Sequence, residues 1–116
     1  MADNTHIQEL LQKVMNLDRR CKYASILDSQ GSKITEVIKE GIVPYESDTA
    51  RTEGLRISLR FAVSQARKQS GPLRAIITLY EKDYTLATQL KEGILYVSFD
   101  YELSSELIDK ILNLVK

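Results

Sequence analysis

TARTEGLRISLRFAVSQARKQSG, from Thr49 to Gly71, is the stretch on which the reading of the fold turns. Its spacing predicts one long helix in the middle of the chain. On a wheel of about 3.6 residues per turn, Leu55, Leu59, Ala62, Val63 and Ala66 share one face, which is expected to be the core stripe. Ala50, Gly54, Ile57, Ser58 and Phe61 share a second face, away from the first. Arg56, Arg60 and Arg67 line a ridge beside the expected core stripe. A helix serving one small domain needs a single apolar face, and this one has two. Gly54 disfavours a helix interior by about 1 kcal/mol relative to Ala, so some close approach is expected to compensate. The second face is therefore expected to meet a partner surface.

Working outward, Ser70-Gly71-Pro72 predicts a firm stop to that helix. Beyond it the chain turns β in character. Leu73–Tyr80, Thr85–Lys91 and Ile94–Tyr101 read as three strands of an antiparallel meander, with turns at Glu81–Tyr84 and Glu92-Gly93. The last strand, ILYVSFDY, has bulky residues at both parities, as expected of a central strand covered on both faces. Ser104 is expected to cap a short terminal helix bearing Leu107, Ile108, Ile111, Leu112 and Val115. On the other side, Gly41–Asp48 is a loop with Ser47 or Asp48 as the helix cap. Before it, Cys21–Leu27 and Ser32–Glu40 form a β-hairpin around Asp28–Gly31. The second of these strands, with Lys33, Glu36, Lys39 and Glu40, reads as a guarded sheet edge. Thr5 to about Arg19 is an amphipathic helix carrying Ile7, Leu10, Leu11, Val14 and Leu17. The order α-β-β-α-β-β-β-α predicts an α/β (α+β) fold. It has a five-stranded antiparallel sheet, the long central helix on one face and the terminal helices on the other.

The chain has 116 residues, enough for one compact domain spanning 1–116. Sixteen basic residues balance sixteen acidic ones, so no global field draws in nucleic acid or an anionic membrane. Cys21 is the single cysteine, which excludes an internal disulfide and fits a reducing interior. The polar start MADNTHIQEL lacks the pattern of a signal peptide. No apolar run approaches the roughly 18 residues that span a bilayer. A cytoplasmic protein is expected.

The hairpin YASILDSQGSKI (Tyr23–Ile34), the meander from Ala75 to Asp100 and the order of elements together resemble the roadblock/dynein light chain family. Profilin-like and longin-like domains share related layouts. The resemblance implies a homodimer, or a heterodimer with a relative, in which the strand after the central helix pairs with its counterpart and the central helices pack over the seam. It also implies a platform or scaffold for a small Ras-like GTPase or a signalling complex, without catalysis. The run Ala75–Tyr80 carries no charge, so at a sheet edge it would be unguarded and apt to pair. The expected dimer or partner interface is then Ala50, Gly54, Ile57, Ser58 and Phe61 of the helix with Arg74, Ile76 and Thr78 of the strand. The alternatives are a monomeric profilin- or longin-like binding domain, or a small-ligand sensor with a pocket between sheet and helix.

Other candidates read as ordinary structure. His6 is the only histidine, and zinc sites use three or four ligands. Cys21 has no second thiol to resolve it. Glu81, Asp83, Asp100 and Glu102 sit at turns and strand ends without a nucleophile. No phosphate-binding glycine motif occurs. No cofactor or metal is expected. The ridge of Arg56, Arg60 and Arg67 has three readings: phosphate contact, ion pairing with a partner protein, or a solvated rim.

Overall fold

The computed structural model describes residues 4–42, 47–64, 70–100 and 104–115. The elements run α1 (Asn4–Asn16), β1 (Cys21–Leu27), β2 (Lys33–Ile38), α2 (Ser47–Ser64), β3 (Ile76–Leu79), β4 (Asp83–Gln89), β5 (Ile94–Asp100) and α3 (Ser105–Leu114). The five strands form one antiparallel sheet in the order β2-β1-β5-β4-β3. This is the expected architecture. The strand bulky at both parities, β5, is central and buried from Ile94 to Phe99, while the charged β2 is an edge.

Alternation along the strands divides the interior into two layers. Ala24, Ile26, Leu86, Leu95, Val97 and Phe99 point to one face, where Ile7, Leu11 and Val14 of α1 and Leu107 and Ile111 of α3 cover them. Tyr23, Leu27, Ala87, Ile94 and Tyr96 point to the other, where Ile57 and Phe61 of α2 cover them. Successive strand residues alternate between faces, so neighbours in sequence serve different helices. The Tyr23 and Tyr96 rings meet edge to face under α2, centroids 6.2 Å apart.

Element ends follow local chemistry. α1 stops at Asn16, short of the expected Arg19, because the Asp18 carboxylate accepts the backbone N–H of Arg20 at 2.8 Å and competes with the helix. The Arg20 guanidinium bonds both Asp18 oxygens at 2.9 Å, and it holds this carboxyl well below the usual carboxylate range. The expected cap on α3 is present: Ser104 Oγ accepts the Leu107 N–H at 3.1 Å. β3 begins at Ile76, later than the expected Leu73; ahead of it the Thr88 hydroxyl donates to the Arg74 carbonyl at 2.7 Å. The loop residues 43–46 lie outside the described residues, as do 65–69 with Ala66 and Arg67.

A register shift in β1 against β5 leaves Lys22 as an extra residue between Cys21 and Tyr23. Asp83 and Asp100 are direct cross-strand partners, a destabilising pairing of like charges. The shifted Lys22 Nζ lies 3.1 Å from Asp83 and 3.7 Å from Asp100, and its single positive charge between them offsets their repulsion.

Burial pushes the Cys21 thiol up to about 11 from its ordinary 9, with the Asp18 carboxylate adding to the shift. The folded chain therefore holds this proton more tightly than the unfolded one. Stability contributed by the neutral thiol is complete below pH 9 and declines as pH rises toward about 11. Iodoacetamide at pH 8 is expected to label Cys21 in urea but not in the native protein. Cys21→Ala is expected to flatten the decline in stability between pH 9 and about 11 that urea melts of the wild type should show.

Candidate assembly surface

The placement of α2 corrects one expectation. The face bearing Gly54, Ile57 and Phe61, expected to meet a partner, packs on the chain's own sheet: Ile57 is 6% exposed and Phe61 3%. The leucine-rich face, expected to be core, is turned outward, with Leu55, Leu59 and Val63 all exposed. Leu59 is 65% exposed and Val63 62%, and Ala62 lies exposed beside them. The two apolar faces are real, but the sheet takes the Gly54–Ile57–Phe61 side and the leucine-rich side is left outward.

The reason lies in the first hairpin. Its Asp28–Ser32 turn closes through an Asp28 carboxylate that accepts the N–H groups of Gln30 and Ser32, each at 2.9 Å. Gly31 adopts φ +82°, which favours glycine. The turn lies directly against α2. A Cβ on Gly54 would collide with the Gly31 carbonyl, and a Cβ on Gly31 would collide with the Gly54 and Leu55 backbone. Ser58 Oγ, one turn on, donates to the Ser29 carbonyl. The close approach that compensates Gly54 is thus intramolecular. Once Gly54 is seated on the turn, Ile57 and Phe61, three and seven residues on, fall over the sheet.

The far side of α2 is fixed by Tyr80, just past β3, whose hydroxyl donates to Glu53 Oε1 at 2.8 Å. Phe61 shares a cluster with Leu73 and Ile76. α2 therefore runs antiparallel to β3, with Glu53 near the strand's end and Phe61 near its start. Arg56 and Arg60, three and seven residues after Glu53, lie on the same flank, the one turned toward the β3 edge. Both are exposed, and neither forms an ion pair with a described residue.

At the edge itself, β3 reads IITL and carries no charge. Ile76 pairs with Ala87 and turns toward α2; Ile77 pairs with Leu86 and turns to the terminal-helix face. On that face Ile77 is 40% exposed and Leu79 69%. Of the strand residues expected at an interface, Arg74 is exposed, and Ile76 and Thr78 are half-buried on the α2 side. The side chain of Ala50 and the whole of Arg67 lie outside the described residues. Leu55, Leu59, Val63, Ile77 and Leu79 were missed as outward residues; for Ile77 and Leu79 the signal was their shared parity on an edge strand.

No three His, Cys, Asp or Glu side chains converge on a metal-sized site among the described residues. His6 is exposed, 3.9 Å from Glu92 at the mouth of an open groove between α1 and the β4–β5 turn. No described helix is long and apolar enough to cross a membrane.

No protein-family model and no curated protein matches the sequence. Solved structures do match the fold. The gliding protein MglB from Thermus thermophilus superposes with a TM-score of 0.71 at 13% identity, over 96% of this chain and 86% of that one. An MglB in a tetrameric arrangement gives 0.70 at 13% identity, over 96% and 88%. A Roadblock/LC7 domain from Streptomyces avermitilis gives 0.67 at 13% identity, over 92% and 88%. At such identities the likeness speaks for architecture alone, and it agrees with the resemblance carried by the hairpin and the meander: this chain has the roadblock/LC7 fold.

Proposed function

We propose that this chain is a non-catalytic interaction module that assembles as a dimer through its β3 edge and serves, in the cytoplasm, as a platform for a small Ras-like GTPase or a signalling complex. One observation carries the reading: β3 is an uncharged edge strand whose Leu79 is 69% exposed, and on the other side of the sheet the outward face of α2 leaves Leu59 65% exposed. Bare apolar edges pair or aggregate, and apolar patches this open mark interaction sites. The opposite edge, β2, carries Lys33 and Glu36 joined by an ion pair at 2.9 Å and is guarded. Pairing β3 with the β3 of a second copy about a two-fold axis continues the sheet and sets Ile77 and Leu79 beside their counterparts. The two α2 helices then lie on the same face, their Leu55, Leu59 and Val63 rows still turned away from the sheet. That row is the docking surface we assign to the partner. The solved neighbours include an MglB described in a tetrameric arrangement, so self-assembly occurs on this fold.

Sedimentation velocity tests the reading. The wild-type chain is expected to sediment as a dimer at micromolar concentration. Leu79→Lys is expected to weaken the dimer at least about tenfold, equivalent to about 1.4 kcal/mol, without changing the circular dichroism. A wild-type chain that remains monomeric at 100-fold higher concentration would favour the monomeric profilin- or longin-like alternative.

A further inference from the structure

Given the assignment of the outward row of α2 to a partner, on which this inference rests, the shape and charge of that row bear on what the partner presents. Leu55, Leu59 and Val63 follow one another at i, i+4 and i+8 and are all exposed. They form one ridge about 12 Å long at 1.5 Å per residue. Along that ridge α2 offers no free backbone donor or acceptor, because its N–H and C=O groups are bonded within the helix. An extended segment laid there would press unsatisfied amides against aliphatic side chains, which is costly. A second helix satisfies its own backbone and sets its side chains between the ridges of the first.

The two flanks of the row differ in charge. On one, Arg56 and Arg60 stand a turn apart, exposed and without an ion pair to any described residue. Glu53 is the only acid between Thr52 and Ser64, and its carboxylate accepts the Tyr80 hydroxyl. On the other flank Ser58 is bonded to Ser29, and the adjoining β1–β2 turn exposes the uncharged Ser29 and Gln30. An anionic lipid surface would meet both flanks alike, whereas a helical partner can place its charge on one side.

We propose that the partner docks an amphipathic helix on Leu55, Leu59 and Val63, with glutamates or aspartates along the side that lies beside Arg56 and Arg60. The apolar ridge supplies the contact. The two guanidinium groups select a carboxylate-bearing flank and fix which side of the incoming helix is turned toward the β3 edge.

Two helix-stapled peptides with the same leucine pattern test this, one with glutamates along a single flank and the other with lysines there. Their binding to the full chain is read by fluorescence anisotropy at about 50 mM and about 500 mM NaCl. At low salt the wild type is expected to bind the glutamate peptide about tenfold more tightly than the lysine peptide. At high salt this margin is expected to shrink. Arg56→Glu/Arg60→Glu is expected to reverse the order, which a loss of folding would not do, and Leu59→Gln to weaken both peptides. Equal affinity for the two peptides overturns the choice of an acidic helix and leaves the row standing as a docking surface. No binding of either peptide up to about 1 mM, or binding of the chain to phosphatidylserine vesicles in their place, overturns both. Leu79→Lys is expected to bind the glutamate peptide as the wild type does, so the outcome is separate from that of the dimer.

Discussion

Alanine at Gly54 is expected to lower the unfolding free energy by about 1–3 kcal/mol, although alanine is the better helix former. Propensity alone would raise stability by about 1 kcal/mol. Against this, the new Cβ has no room, because the Gly31 carbonyl of the β1–β2 turn occupies its position. Forcing atoms into a packed site costs about 1–3 kcal/mol. Moving the turn away from α2 also breaks the Ser58–Ser29 hydrogen bond, at about 1 kcal/mol. Urea denaturation followed by circular dichroism reads the balance. A Gly54→Ala protein more stable than wild type would mean that the hairpin turn does not rest on α2. Gly31→Ala is expected to be worse, since it adds an unfavourable φ of +82° to the same collision.

Phe61→Ala is expected to be more damaging still, by about 3–5 kcal/mol, while Leu59→Ala is expected to fall within about 0.5 kcal/mol of wild type. The contrast follows from burial: Phe61 is 3% exposed and packs in one cluster with Ile57, Tyr23 and Tyr96, whereas Leu59 is 65% exposed. Both variants should be melted at low protein concentration, so that assembly does not lend Leu59 stability. A large loss from Leu59→Ala with little from Phe61→Ala would restore the leucine face to the interior. The pair therefore reports directly on which side of α2 the sheet uses.

Most of the architecture was legible in the residues because strands and caps leave local marks. Ile94–Phe99 has bulk at both parities, and only a doubly covered strand accommodates that. Lys33 and Glu36 mark β2 as an edge, and Ser104 stands where the orphan N–H groups of α3 need an acceptor. The orientation of α2 was not legible. A helical wheel separates two apolar faces but contains no information about which one the sheet will take. Leu55, Leu59 and Val63 are more hydrophobic than the Gly54–Ile57–Phe61 side, and hydrophobicity alone chooses wrongly here. The deciding contact joins Gly31 to Gly54, which are distant in sequence, and it shows only once the hairpin is folded against the helix. The end of α1 was missed for a similar reason: apolar spacing carries the helix on through Leu17, but the Asp18 side chain captures a backbone N–H and ends it. The lack of charge on β3 was plain from the sequence, whereas the outward aim of Ile77 and Leu79 depended on its register with β4.

The proposed assembly requires a second chain on β3 and none on β2. Amide hydrogen exchange read at several protein concentrations tests this on the strands themselves. The outward amides of Ile76–Leu79 should become protected as concentration rises through the dimer range, and should lose that protection in Leu79→Lys. The edge amides of β2 should exchange equally fast throughout. If the β3 edge exchanges as fast at high concentration as at low, no second chain pairs with it, and the assembly proposed here is wrong.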